Sequence, residues 1–124
     1  MAQNSSESVR ALQREDFSLV QEISVAQLYK ILEAGADLVD VREEEERVCG
    51  RIPFPNQHWP LSTFGLRERE ISQQHPTVFY CTTGMRSIKA AEIAENWTSQ
   101  SLYSLQGGYL SFLKEDKTRK QETT

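Results

Sequence analysis

The stretch Thr77-Val78-Phe79-Tyr80-Cys81-Thr82-Thr83-Gly84-Met85-Arg86-Ser87 constrains the fold more than any other part of the chain. A continuous run of strand-forming residues ends on a cysteine, a short polar loop with one glycine follows, and a helical pattern sets in at Arg86 and Ser87. In an open α/β sheet, ligands bind in the crevice beyond the carboxyl ends of the strands, which is where this loop is expected. Its amides and the helix N-terminus favour negative charge, so a thiolate on Cys81 or a bound anion is stabilised there. Arg86 adds a fixed cation.

The rest of the chain supplies the elements such a sheet needs. Residues 1–20 read as a flexible N-terminal tail, and a short strand is expected near Glu22 to Ser24. Ser24 and Gln27 fit a capping box opening a helix whose apolar face is Val25, Leu28, Tyr29 and Leu32, with Gly35 as the stop. Leu38-Val39-Asp40-Val41 reads as a strand covered on both faces. Asp40 interrupts it, and a carboxylate there needs a partner, Arg42 or a loop amide, so Asp40 reads as a clamp of the loop. Glu43 to Glu46 form the acidic first turn of a short helix and read as a solvated face. Cys49 reads as a buried, inert thiol. Between Gly50 and Leu61, prolines and aromatic residues predict an edge strand with an exposed ring at His58. Ser62 is expected to cap a helix with Leu66 and Ile71 inward, ended by His75-Pro76. Ala90, Ile93, Ala94 and Trp97 mark the buried face of the helix after the cysteine loop. Ser101 to Leu105 give a last strand, Gly107-Gly108 a tight turn, and Tyr109, Leu110, Phe112 and Leu113 a final helix. From Lys114 onward the polar composition predicts disorder.

With 124 residues and no internal repeat, the chain suits one domain, residues 21–115, followed by a polar C-terminal tail, 116–124. A net charge of -4 and the lack of a basic stripe argue against a nucleic-acid partner. No apolar run is long enough to span a bilayer, so no membrane partner is expected. Met1 to Glu7 lack the basic and apolar regions of a signal peptide, which predicts a cytoplasmic location. The two cysteines, Cys49 and Cys81, read as reduced thiols, and with His58 and His75 they show no metal-ligand spacing. Neither a metal nor a cofactor is expected.

Cys81 to Arg86 reads C-x-x-G-x-R, followed by Ser87, and resembles the active-site loop of the rhodanese sulfurtransferases. Leu38-Val39-Asp40-Val41-Arg42-Glu43 resembles that family's strand end, Gly50-Arg51-Ile52-Pro53 its proline turn, and Gly107-Gly108-Tyr109 the paired glycines before its last helix. The resemblance is to a single-domain rhodanese. It implies a three-layer α/β fold, a mostly parallel five-stranded sheet with helices on both faces. It also implies a reaction: the Cys81 thiolate takes sulfane sulfur from thiosulfate or a persulfide donor, holds it as a persulfide, and yields it to a protein thiol or a cyanide-like acceptor. The backbone of Thr82, Thr83, Gly84, Met85 and Arg86 would hold the anionic persulfide, with the Thr83 and Ser87 hydroxyls adding hydrogen bonds. Asp40 would support the loop, and Arg42 is either structural or a guide for an anionic substrate. The chain departs from the pattern at Arg51, at Phe54-Pro55 and in the length of that segment.

The thiolate has to be stabilised. Lowering a thiol pKa by about two requires on the order of 2.7 kcal/mol, and a helix dipole gives about 0.3 to 1 kcal/mol. Loop amides and the charge of Arg86 are therefore expected to supply the larger share. Phosphatase and arsenate-reducing versions of the fold resemble C-x-x-x-x-x-R, with five intervening residues; here four stand between Cys81 and Arg86, which suits a single sulfur better than a tetrahedral oxyanion. A non-catalytic binding module of the same fold commonly lacks the cysteine.

Overall fold

The computed structural model describes residues 20–122. Of the expected tail at 1–20, residues 1–19 lie outside the described residues, and Val20 packs against the core. The elements run β1 (Gln21–Ile23), α1 (Val25–Glu33), β2 (Asp37–Asp40), α2 (Glu44–Val48), β3 (Gln57–His58), a 3-10 helix (Leu61–Glu70), β4 (Thr77–Tyr80), α3 (Met85–Ala94), β5 (Leu102–Leu105) and α4 (Gly108–Glu122). The strands form one five-stranded sheet in the order β1-β5-β4-β2-β3, with every pairing parallel.

Strand alternation divides the core into two layers. Val39, Val41, Phe79, Cys81 and Leu102 point to one face, where they meet Phe64 of the 3-10 helix and Ala90, Ala91 and Ala94 of α3. Leu38, Val78, Tyr80 and Leu105 point to the other, against Val25 and Leu28 of α1 and Phe112 of α4. The helix after β4 thus lies on one face and the helix after β5 on the other. The loop that follows β4, with Cys81 at its start, lies at the carboxyl ends of the strands, where open α/β sheets bind ligands.

The Ser24–Gln27 capping box forms as expected. Several local expectations are corrected. Segment 61–70 is 3-10 helix in two pieces, broken by a non-helical Thr63; Phe64, just past the break, takes the buried position and Leu66 is 81% exposed. Ser62 does not cap it, since both its N–H and hydroxyl donate to the Glu43 carboxylate. Along α3, Ala91 is buried and Ile93 faces partly outward, while Trp97 stacks on Phe64 at 5.0 Å. Cys49 is exposed, because it ends α2 just outside the packed layers. The His58 ring, on the edge strand, is only 20% exposed and lies 2.6 Å from the Arg42 carbonyl through Nε2. Helix α4 continues to Glu122, past the end of its apolar pattern, in place of the expected disorder.

Candidate active site

The loop after β4 owes its shape to glycine at two places. Gly84 precedes α3 with φ of 101°, and a Cβ there would lie 3.0 Å from the Gly107 nitrogen and 3.3 Å from the Leu105 carbonyl. Gly108, with φ of 59°, lets α4 start directly against the loop, where a side chain would reach to 2.6 Å from the Thr82 carbonyl oxygen. The first amides of α4 donate to the loop: Tyr109 N–H to the Cys81 carbonyl at 2.8 Å and Leu110 N–H to that of Thr82 at 3.2 Å. With carbonyls held by α4, the loop amides are free to face the sulfur.

Cys81 is fully buried. Its Sγ accepts from Gly84 N–H at 3.1 Å and Ser87 N–H at 3.4 Å, and lies 3.5 Å from the Ser87 hydroxyl. Burial pushes the thiol pKa up, but the Ser87 hydroxyl and the amides of Ser87, Gly84 and Thr83 outweigh it and hold the thiol below its ordinary value. Ser87 Oγ is itself 2.8 Å from the hydroxyl of Ser104 on β5 and 3.3 Å from the Gly84 carbonyl.

The charge at the rim differs from the expected arrangement. Arg86 is bound in bidentate fashion to Glu46 of α2, at 2.8 and 2.6 Å, and the Thr82 hydroxyl donates to the same carboxylate at 3.0 Å. Arg86 first, against partial burial, pulls the Glu46 carboxyl down to about 2. Glu46 therefore offsets the loop cation where it stands; Arg86 still attracts the Cys81 thiolate, and a hydroxyl and amides are the main groups that hold the thiol down.

Arg42 lies beneath this rim, not in the pocket. It is buried, its Nε and Nη2 reach Asp40 at 3.1 and 2.9 Å, and its other bonds go to the carbonyls of Gly50 and Glu46. The guanidinium faces the rings of Tyr80 and Tyr109 at 5.5 and 4.7 Å. Asp40 also accepts from Tyr80 Oη at 2.8 Å and Arg47 at 3.2 Å. Burial raises the Asp40 carboxyl, and the hydrogen bonds from Arg42 and Tyr80 overcome it, leaving the group below the usual carboxylate range. This strut ties β2, β4, α2 and the Gly50 turn together, with Arg42 as the partner of the Asp40 carboxylate.

Of the expected site residues, Cys81, Gly84 and Ser87 converge on the sulfur, and Thr83 contributes its amide. Thr82 and Arg86 belong to the rim, and Met85 opens α3 with its side chain 74% exposed. Three residues with clear parts in the arrangement are not singled out by the sequence: Glu46, Tyr80 and Ser104. Glu46 is one of four consecutive acids, and only its position on α2 separates it from the others. For Ser104, a serine at an apolar position of a buried strand is the available signal.

A family model described as Rhodanese-like domain matches residues 24–115. Among curated relatives, "Uncharacterized protein YqhL" of Bacillus subtilis (strain 168) is 33% identical over 85 residues, 68% of this chain and 67% of that protein. "Putative sulfurtransferase YtwF" of the same organism is 28% identical over 102 residues, 81% of this chain and 97% of that protein. The crystal structure of a rhodanese homolog from the extremely thermophilic bacterium Thermus thermophilus superimposes with a TM-score of 0.62 at 26% identity, covering 73% of this chain and 99% of that one.

Proposed function

The chain belongs to the rhodanese-like family, and from that premise we propose that it is a sulfurtransferase working through a persulfide on Cys81. The observation that carries this reading is the set of neutral donors around one buried sulfur: two amides and a hydroxyl within 3.5 Å of Sγ. Such a cradle suits an anionic sulfur both before and after it gains a second one. In the first half-reaction the thiolate attacks the outer sulfur of the donor; an S–S bond forms and the donor's bond to that sulfur breaks. The electron pair leaves with sulfite when the donor is thiosulfate, or with a thiolate when it is a persulfide. In the second, the acceptor attacks the outer sulfur and the Cys81 thiolate departs. Cyanide becomes thiocyanate, and a thiol becomes a persulfide.

Arg86, Arg42 and Arg47 are already paired with Glu46 or Asp40. A thiosulfate dianion meets no spare guanidinium from these three, so a persulfide is the better donor. The four-residue spacing between Cys81 and Arg86 favours sulfur over a tetrahedral oxyanion. Among the described residues no helix is long and apolar enough to cross a membrane. We place the protein in the cytoplasm, where a reducing pool keeps its two cysteines free.

Turnover of thiosulfate and cyanide, and of glutathione persulfide with a thiol acceptor, tests the reading. Wild type and Cys49→Ser should transfer sulfur from at least one donor, with higher kcat/KM for the persulfide, and Cys81→Ser should transfer none. Equal loss in both cysteine variants, or no transfer from either donor by wild type, overturns it.

A further inference from the structure

We infer that Ser104, on strand β5, is a positioning residue that orients the Ser87 hydroxyl toward the Cys81 sulfur and lets that hydroxyl follow the charge through the transfer cycle. The inference deepens the proposed function and rests on it for the identity of the reacting sulfur. It stands on a buried line of three side chains: Cys81 Sγ, Ser87 Oγ at 3.5 Å and Ser104 Oγ a further 2.8 Å on, all with no exposed surface.

Ser87 has one hydroxyl proton and three neighbours that can take it: the sulfur, the Gly84 carbonyl at 3.3 Å and Ser104 Oγ. In the Ser87–Ser104 pair either oxygen can donate. When Cys81 is a thiol, its S–H donates to Ser87 Oγ and the Ser87 proton turns to the Gly84 carbonyl or to Ser104. When Cys81 is a thiolate, Ser104 donates to Ser87 and the Ser87 proton turns to the sulfur. The thiol proton leaves to bulk base on ionisation, two hydroxyl rotations then reverse the line, and each serine keeps its own proton. Once the second sulfur is attached, the negative charge moves to the outer atom under the loop amides, and the Ser87 proton is released to Gly84. A hydroxyl that itself accepts a hydrogen bond is a stronger donor, which is what Ser104 adds. Without it, Ser87 Oγ is left short of a donor in a site closed to water.

The formal charges nearest Cys81 do not explain such tuning. Arg86 on α3 is matched by Glu46 on α2, the Asp40–Arg42 pair lies with Tyr80 on the opposite face of the sheet, and α4 offers only backbone amides. Hydrogen bonds, the Ser87 hydroxyl foremost, bring the thiol below its ordinary pKa against the effect of burial.

The test is the pH profile of Cys81 alkylation by iodoacetamide, measured in a Cys49→Ser background, which needs no sulfur donor. Ser104→Ala and Ser104→Val should each raise the midpoint by about half a pH unit, roughly a threefold loss of thiolate at fixed pH. Ser104→Thr, which keeps the hydroxyl, should restore the profile, and release of sulfur from preformed persulfide to cyanide, in which charge returns to the Cys81 sulfur, should slow in the alanine and valine variants and recover in the threonine variant. Thermal unfolding of each variant confirms that the fold is retained. An unchanged midpoint in the folded alanine and valine variants, or a threonine variant that behaves like valine, overturns the inference. Failure of the wild type to transfer sulfur would instead count against the proposed reaction and leave the alkylation result standing.

Discussion

Around Cys81 the stabilising groups are neutral, and the full charges nearest to it cancel. Arg86 and Glu46 form a bidentate pair, so either one alone is a perturbation of opposite sign. Arg86→Ala leaves the Glu46 carboxylate uncompensated and should raise the pH at which Cys81 alkylates. Glu46→Gln frees the guanidinium and should lower it, and the double variant should return close to wild type. Each single shift should stay below about one pH unit, since a pair near the surface interacts through a high effective dielectric. A double variant that shifts as far as Arg86→Ala alone contradicts this cancellation. Cys81, Gly84 and Ser87 are legible as site residues because their spacing along the chain maps directly onto one turn between a strand and a helix. Glu46 is not, because the contact that selects it bridges residues 40 apart. Arg42 stays undecided in the sequence for a related reason: its role depends on where its donors point, and the structure directs them into the strut.

At the level of elements, the loop depends on what abuts it. The N-terminus of α4 holds the carbonyls of Cys81 and Thr82, and it reaches them only because Gly108 has no side chain. Gly108→Ala combines a left-handed φ of 59° with a collision against backbone, so it should cost at least about 1 to 3 kcal/mol. Its thermal midpoint should fall and its alkylation midpoint should rise together; loss of stability with an unaltered pH profile would show that α4 does not shape the cradle. Inserting one glycine after Gly84 lengthens the loop to the spacing of the oxyanion-binding versions of the fold. That variant, if thermal unfolding shows it folded, should lose sulfur transfer, whereas efficient aryl phosphate hydrolysis by the wild type contradicts the loop-length argument. The strands and α1 are readable because their apolar period matches regular geometry. Segment 61–70 misleads because a kink at Thr63 and 3-10 winding replace a regular α-helix, with Phe64 inward and Leu66 out, a change that the composition does not signal.

Across the molecule, the buried Asp40–Arg42 pair ties the end of β2 to β4 and the Gly50 turn through its hydrogen bonds to Tyr80 and the Gly50 carbonyl. Asp40→Asn leaves Arg42 buried without its counterion and should destabilise by roughly 3 to 5 kcal/mol. Urea unfolding measures this, and a loss under about 1 kcal/mol, the range of a surface pair, would contradict the strut. Acid should weaken the fold through the same region. Glu46 titrates at about 2 when folded against an ordinary 4.5, so its contribution is complete above 4.5 and disappears as pH falls toward 2. Glu46→Gln should flatten the stability profile in that window, and Asp40, lowered in the same direction, should account for part of the remaining slope. The central claim, that Cys81 carries the transferred sulfur, is tested most directly by intact mass after incubation with a persulfide donor. The account predicts a gain of one sulfur atom in wild type and Cys49→Ser, reversed by cyanide and absent in Cys81→Ser; a gain that persists in Cys81→Ser, or that never forms in wild type, contradicts it.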